Sequence, residues 1–114
     1  MVTRPRPAAA VLEALFDKPY GVSLQTHKIG RFDCETTLFI STPRSFLRIP
    51  MPGKLVGKIV LSSKYIHLNG DSSFSDSANV SWYDSAFSRQ YADRVYKTLK
   101  DHQVRLEGAS SVHR

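Results

Sequence analysis

Residues 44–62 read RSFLRIPMPGKLVGKIVLS, and the way this stretch folds back on itself decides the architecture of the chain. Before the prolines, Arg44, Phe46 and Arg48 alternate with Ser45, Leu47 and Ile49. After them, Lys54, Val56 and Lys58 alternate with Leu55, Gly57, Ile59 and Leu61. A period of two places alternate residues on opposite faces of a strand. The reading is two strands, Ser45–Ile49 and Leu55–Ser62, joined by a reversal at Pro50-Met51-Pro52-Gly53. If both apolar sides face the core, register sets Arg48 near Lys54 and Arg44 near Lys58, around Phe46.

This stretch sits inside a longer acid-free interval. No Asp or Glu occurs from Thr36 to Gly70, whereas Arg44, Arg48, Lys54, Lys58 and Lys64 do. A surface without counter-charges is electropositive and draws anions. Like charges opposed across strands destabilise by a few tenths to about 1 kcal/mol per pair unless solvent or a bound anion relieves them. A phosphate backbone supplies that relief, and Phe46 between cations can stack on an unpaired base. Nucleic acid is therefore the expected partner, RNA in preference to duplex DNA. The bland account is that Lys and Arg on an edge strand, beside Pro43, Pro50 and Pro52, simply block aggregation.

Working outward, short runs of alternating or β-branched residues predict further strands at Gly21–His27, Phe32–Ser41, Tyr65–Leu68 and Asn79–Tyr83. Gly30-Arg31 fits a two-residue hairpin, which would set His27 opposite Cys34. Residues 69–77, NGDSSFSDS, are polar enough to read as a loop, and their serines beside Asp71 and Asp76 are phosphorylation candidates. Helices flank the strands. Pro7 suits the first turn of a helix over Ala8–Asp17, whose Ala8, Val11, Leu12, Leu15 and Phe16 share one face, and Lys18-Pro19 stops it. Asp84 or Ser85 caps a second helix running to about Gln103, with Phe87, Tyr91, Val95 and Leu99 repeating every four residues. Trp82 and Tyr83 are expected to anchor this helix to the sheet.

The fold expected is α+β: a short N-terminal helix, a curved, mostly antiparallel sheet of five or six strands, and a C-terminal helix packed on the sheet. Residues 1–7 form a flexible basic arm, 8–104 one domain and 105–114 a disordered tail. One layout is a small open barrel or roll closed by the last helix. Its element order is similar in outline to pleckstrin-homology-like modules, a likeness that carries no function.

Composition narrows the function. The 114 residues hold 16 Lys and Arg against 10 Asp and Glu, a net charge of +6 with pI near 9.7. A lone cysteine, Cys34, rules out an internal disulfide, no leader of signal-peptide type is evident, and no apolar run approaches the roughly 20 residues that span a bilayer. An intracellular, cytoplasmic protein is expected, for which the sequon-like Asn79-Val80-Ser81 has no chemical meaning. The scattered histidines predict no metal site and no cofactor. A Cys34–His27 pair lacks an orienting third residue, so the reading is non-enzymatic, with no catalytic residue.

The binding set expected is Arg44, Phe46, Arg48, Lys54 and Lys58, with Lys97 and Lys100 on the last helix as secondary contacts. That helix carries Arg89, Arg94, Lys97 and Lys100 against Asp93 and Asp101, a net +2 that also suits a merely solvated face. The rival reading is a protein-interaction or self-assembling structural module, such as a small viral or phage accessory or matrix-like protein. Its partner would be an acidic protein or a second copy docked through Val11, Leu12 and Leu15. An anionic membrane surface is the weaker option, because Tyr91, Ser88 and Ala92 fit packing on a sheet better than insertion.

Overall fold

The computed structural model describes residues 6–16, 20–31, 33–46 and 49–111, with the backbone alone at 6, 7, 43–46 and 49–52. Seven elements follow in order: α1 (Arg6–Leu15), β1 (Gly21–Lys28), β2 (Cys34–Phe46), β3 (Ile49–Leu68), β4 (Asp71–Trp82), α2 (Ser85–Asp101) and β5 (Arg105–Ser111). The fold is α+β, with one five-stranded sheet ordered β1-β2-β3-β4-β5. The first four strands pair antiparallel and β5 joins β4 in parallel, so the sheet is mixed. It does not close into a barrel, and β1 and β5 are its two edges.

Both helices lie on one face. α2 forms where the four-residue repeat predicts it, and Phe87, Tyr91, Val95 and Leu99 are its buried stripe. Asp84 is the N-cap, accepting a hydrogen bond from Phe87 N–H at 2.9 Å. The C-terminus closes in a Schellman turn: Gln103 takes φ +57°, Gln103 N–H donates to Lys100 O, and Val104 N–H donates to Leu99 O. Buried Val104 and Leu99 complete that turn, and the chain leaves it directly into β5. Residues 105–111, expected in a disordered tail, are instead an edge strand, because burial of Val104 aims the backbone along β4.

α1 starts at Arg6, inside the expected arm, and buries Ala8, Ala9, Leu12 and Phe16. Phe16 stacks on Phe87 and packs at a tilt against Tyr91, with ring centroids 5.6 and 5.1 Å apart. Leu12 therefore belongs to the core and not to an intermolecular surface, Leu15 packs against that core, and Val11 is left 41% exposed. The expected α1 interface of Val11, Leu12 and Leu15 is corrected accordingly: the helix spends its apolar side on α2 and β2.

β3 is the spine, 20 residues long in a molecule of 61 × 26 × 22 Å. It absorbs two expected strands and the reversal placed at Pro50–Gly53. The chain turns elsewhere, with Phe46 opposite Ile49 and Ser45 opposite Pro50. At the far end Leu68 pairs with Asp71 around Asn69-Gly70, whose φ of 53° and 84° make a two-residue hairpin turn of the primed type. The supposed loop at 69–77 is thus a turn followed by β4, with Ser73, Ser75 and Ser77 on one face of the strand and Ser72 on the other. The β1–β2 connection also differs by a step: Ile29 and Gly30 N–H groups both donate to Asp33 O, and His27 faces Glu35 while Lys28 faces Cys34.

Candidate nucleic-acid interface

Strict alternation would keep Lys54, Val56 and Lys58 on one side of β3, but the strand does not alternate strictly. Ile40 pairs with Gly57 and Ser41 with Leu55, so Val56 is an extra residue, a β-bulge. Val56 and Gly57 are both turned inward, and a Cβ on Gly57 would stand 2.9 Å from Phe87 Cε2 on the helix side. The bulge inverts Leu55 and Lys54, the two residues just before it, and a second register shift follows between Thr42 and Arg44. Lys54 turns to the helix side, where its Nζ lies 3.6 Å from Asp84 Oδ2. Lys58 alternates with buried Ile59 and takes the opposite, uncovered face, its Nζ 5.9 Å from the Phe39 ring centroid.

The expected platform is therefore divided. Lys58 pairs across strands with Phe39 and Ser81, not with Arg44, and Arg44 is opposite Met51. The side chains of Arg44 and Phe46, and Arg48 as a whole, lie outside the described residues. Lys97 and Lys100 are exposed on α2, in the layer on the other side of the sheet from Lys58. What the structure brings together instead is Lys58 and Phe39. Phe39 escapes a reading of the sequence because it looks like one more apolar residue in Thr-Leu-Phe-Ile; the period of two that buries Leu38 and Ile40 is the signal that turns Phe39 outward.

Backbone pairing does gather part of the set. β1 meets β2 no further than Ser41, and β4 meets β3 no further than Gly57. Among the described residues, the β2–β3 hairpin between Thr42 and Lys54 therefore has no flanking strand and projects as a two-stranded arm. Arg44 and Lys54 fall on its described strands, and the sequence from Thr42 to Lys54, which also holds Arg48, has no acidic residue. Pro50 and Pro52 are tolerated there because the outer side of β3 has no strand to bond. Asp84, at the base of the arm, is a carboxylate that faces it, through Lys54. The Phe87 N–H, and to a lesser degree Lys54, hold Asp84 below its ordinary pKa, so it stays ionised in that position.

The other titrating groups lie toward the opposite end. Burial, with Asp76 and Asp33 nearby, pushes the Cys34 thiol up, away from a reactive thiolate. Glu107 is held low by the Ser77 hydroxyl and by Arg105, 3.4 Å away. His27 faces Glu35, so the expected Cys34–His27 apposition is not formed. Among the described residues no three His, Cys, Asp or Glu side chains converge as metal ligands, and no helix is long and apolar enough to cross a membrane. Compared with known protein families, curated proteins and solved structures, the chain matches none.

Proposed function

We propose that this chain is a non-enzymatic nucleic-acid-binding domain, with single-stranded RNA as its partner and the β2–β3 arm as its principal contact. The observation that carries the reading is the arm itself: a two-stranded projection between Thr42 and Lys54, whose sequence holds Arg44, Arg48 and Lys54 and no acid. Phosphates neutralise such a projection, and Phe46 within it offers a ring for an unpaired base. Lys58 over Phe39 adds a cation and an aromatic on the uncovered sheet face, and Lys97 and Lys100 act as distant electrostatic contacts. An intracellular site of action goes with this reading, since the lone thiol of Cys34 stays reduced there.

Titration of a fluorescent single-stranded RNA at several salt concentrations tests it. Arg44→Ala with Arg48→Ala is expected to weaken binding and to flatten its slope against log salt by roughly 0.7 for each phosphate no longer neutralised. Lys58→Ala should weaken binding less and leave that slope nearly intact. An unchanged affinity and slope in the arm double variant would sink the assignment.

A protein-interaction role has its own supporting observation. Beyond Ser63 and Ser77 the β3–β4 hairpin also has no flanking strand, and it exposes Tyr65, Ile66, Leu68 and Phe74. Leu68 is 66% exposed, an unusual use of leucine on a projecting hairpin. Ile66→Ser with Leu68→Ser should abolish association with a protein partner while leaving RNA retention untouched.

A further inference from the structure

The two edges of the sheet are treated differently. β5 is broken by a register shift at Ala78/Asn79 and carries Arg105 and Glu107, devices that discourage another strand from pairing. β1 has no register shift, and its one charged residue, Lys28, stands at its very end. Its eight residues pair with β2 in unbroken register, contain no proline, and carry no charge from Gly21 to Thr26. Alternate residues of β1 turn their N–H and C=O groups away from β2, toward solvent. Such an edge is a template for another strand.

The side chains beside that edge are also unfinished. Val22, Leu24 and Thr26 lie opposite Ile40, Leu38 and Thr36, so they share the helix side of the sheet. Val22 packs against the core, but the helices stop short of Leu24 and Thr26: α1 lies over β2, and α2 over β3, β4 and β5. Leu24 is consequently 42% exposed next to fully buried Leu38, and Val11 of α1 is exposed on the same layer. A narrow apolar shelf therefore runs along the open edge.

We infer that β1 is a dimerisation edge whose occupant is the β1 strand of a second copy, paired antiparallel about a two-fold axis through Leu24. In that register Leu24 stacks on the partner's Leu24, and Val22 lies opposite the partner's Thr26. Both pairs stay on the helix side because a two-fold axis perpendicular to the sheet preserves its faces. Charge placement selects this arrangement. His27 and Lys28 occupy one end of the strand, and the antiparallel pair keeps the two Lys28 residues about 27 Å apart at about 3.4 Å per residue, beyond the screening length. A parallel pair would set them side by side. The result is a closed dimer with a continuous ten-stranded sheet, twice the five strands of one copy. The inference is independent of the nucleic-acid assignment, which concerns the other side of β2.

An eight-residue edge with so small a shelf makes a weak, reversible interface, for which a dissociation constant on the order of tens of micromolar is the expected range. Sedimentation of the full chain over about a hundred-fold concentration range around that value should show the mass rising from 12.8 kDa toward twice that figure. Leu24→Lys and Leu24→Glu should each remain monomeric, because each sets like charges opposite one another. An equimolar mixture of the two should recover the dimer, a result that loss of folding cannot produce. Amide hydrogen exchange on the unaltered chain provides the readout that needs no variant: β1 amides should gain protection with concentration while β5 amides do not. A chain that stays monomeric throughout, single variants that still dimerise, a mixture that stays monomeric, or protection rising at β5 in place of β1 would overturn the inference.

Discussion

Lys54 Nζ stands 3.6 Å from Asp84 Oδ2, and through that contact the base of the β2–β3 arm is fastened to the first turn of α2. Asp84 works mainly as a cap, since its stronger partner is the Phe87 N–H at 2.9 Å. Asp84→Ala should cost about 1 kcal/mol of unfolding free energy at neutral pH. Lys54→Ala should cost less than about 1 kcal/mol, because the Lys54 side chain is 56% exposed and screened. The folded pKa of Asp84 lies below its unfolded value, so its contribution is complete above the ordinary aspartate range and is lost as pH falls through the lower folded value. Urea unfolding of both variants and the parent at neutral pH and at about pH 2 checks this: the Asp84→Ala deficit should shrink in acid.

Gly57 is where the sheet makes room for α2. A methyl group there would stand 2.9 Å from Phe87 Cε2, and Phe87 cannot retreat, being packed by Phe16, Tyr20, Trp82 and Tyr91 at centroid distances of 5.0–5.7 Å. Gly57→Ala should destabilise the fold by about 1–3 kcal/mol through overpacking. A drop in melting temperature accompanied by altered near-ultraviolet dichroism of the aromatic cluster is the expected readout.

Trp82 is buried and donates its indole N–H to Tyr96 Oη at 2.8 Å. Tyr96→Phe keeps the ring packing, centroids 6.2 Å apart, but leaves the indole donor unpaired. The expected cost is about 1–3 kcal/mol. Because the chain has a single tryptophan, its fluorescence reports the change directly, by a shifted emission maximum in the folded state and an earlier urea midpoint.

Burial raises the Cys34 pKa, and Asp76 and Asp33 raise it further. The thiolate population at neutral pH is therefore smaller than that of a free cysteine, and alkylation should be correspondingly slow. Asp33→Asn should speed the reaction by removing one of those charges. Asp33 also accepts the Tyr65 N–H at 2.9 Å, and asparagine retains an oxygen for it. Iodoacetamide rates measured from pH 7 to pH 9, on either side of the ordinary thiol range of about 8.5, give the comparison; parent rates equal to those of free cysteine would refute the argument.

How legible each feature is in the sequence depends on the range of the interaction that fixes it. The buried stripe of α2 and its Asp84 cap are readable because both are set within one helix, by a four-residue period and a neighbouring carboxylate. The Asn69-Gly70 turn carries a local signal too, but the serines after it resemble a loop in composition while lying in strand β4. β5 leaves almost no local trace: Gly108 and Ser110 do not read as a strand, and it forms because the Schellman turn and buried Val104 lay it against β4.

The amino-acid order alone determined the α+β class, the two amphipathic helices, and an electropositive middle segment, each a property of periodicity or charge within a few tens of residues. Only the tertiary structure decided which faces those charges occupy. The bulge at Val56 arises where β3 must meet both β2 and the Phe87 side of α2, and one extra residue there separates Lys54 from Lys58 by the thickness of the sheet. A one-residue slip of that kind inverts every side chain beyond it, and its cause lies on elements distant in sequence.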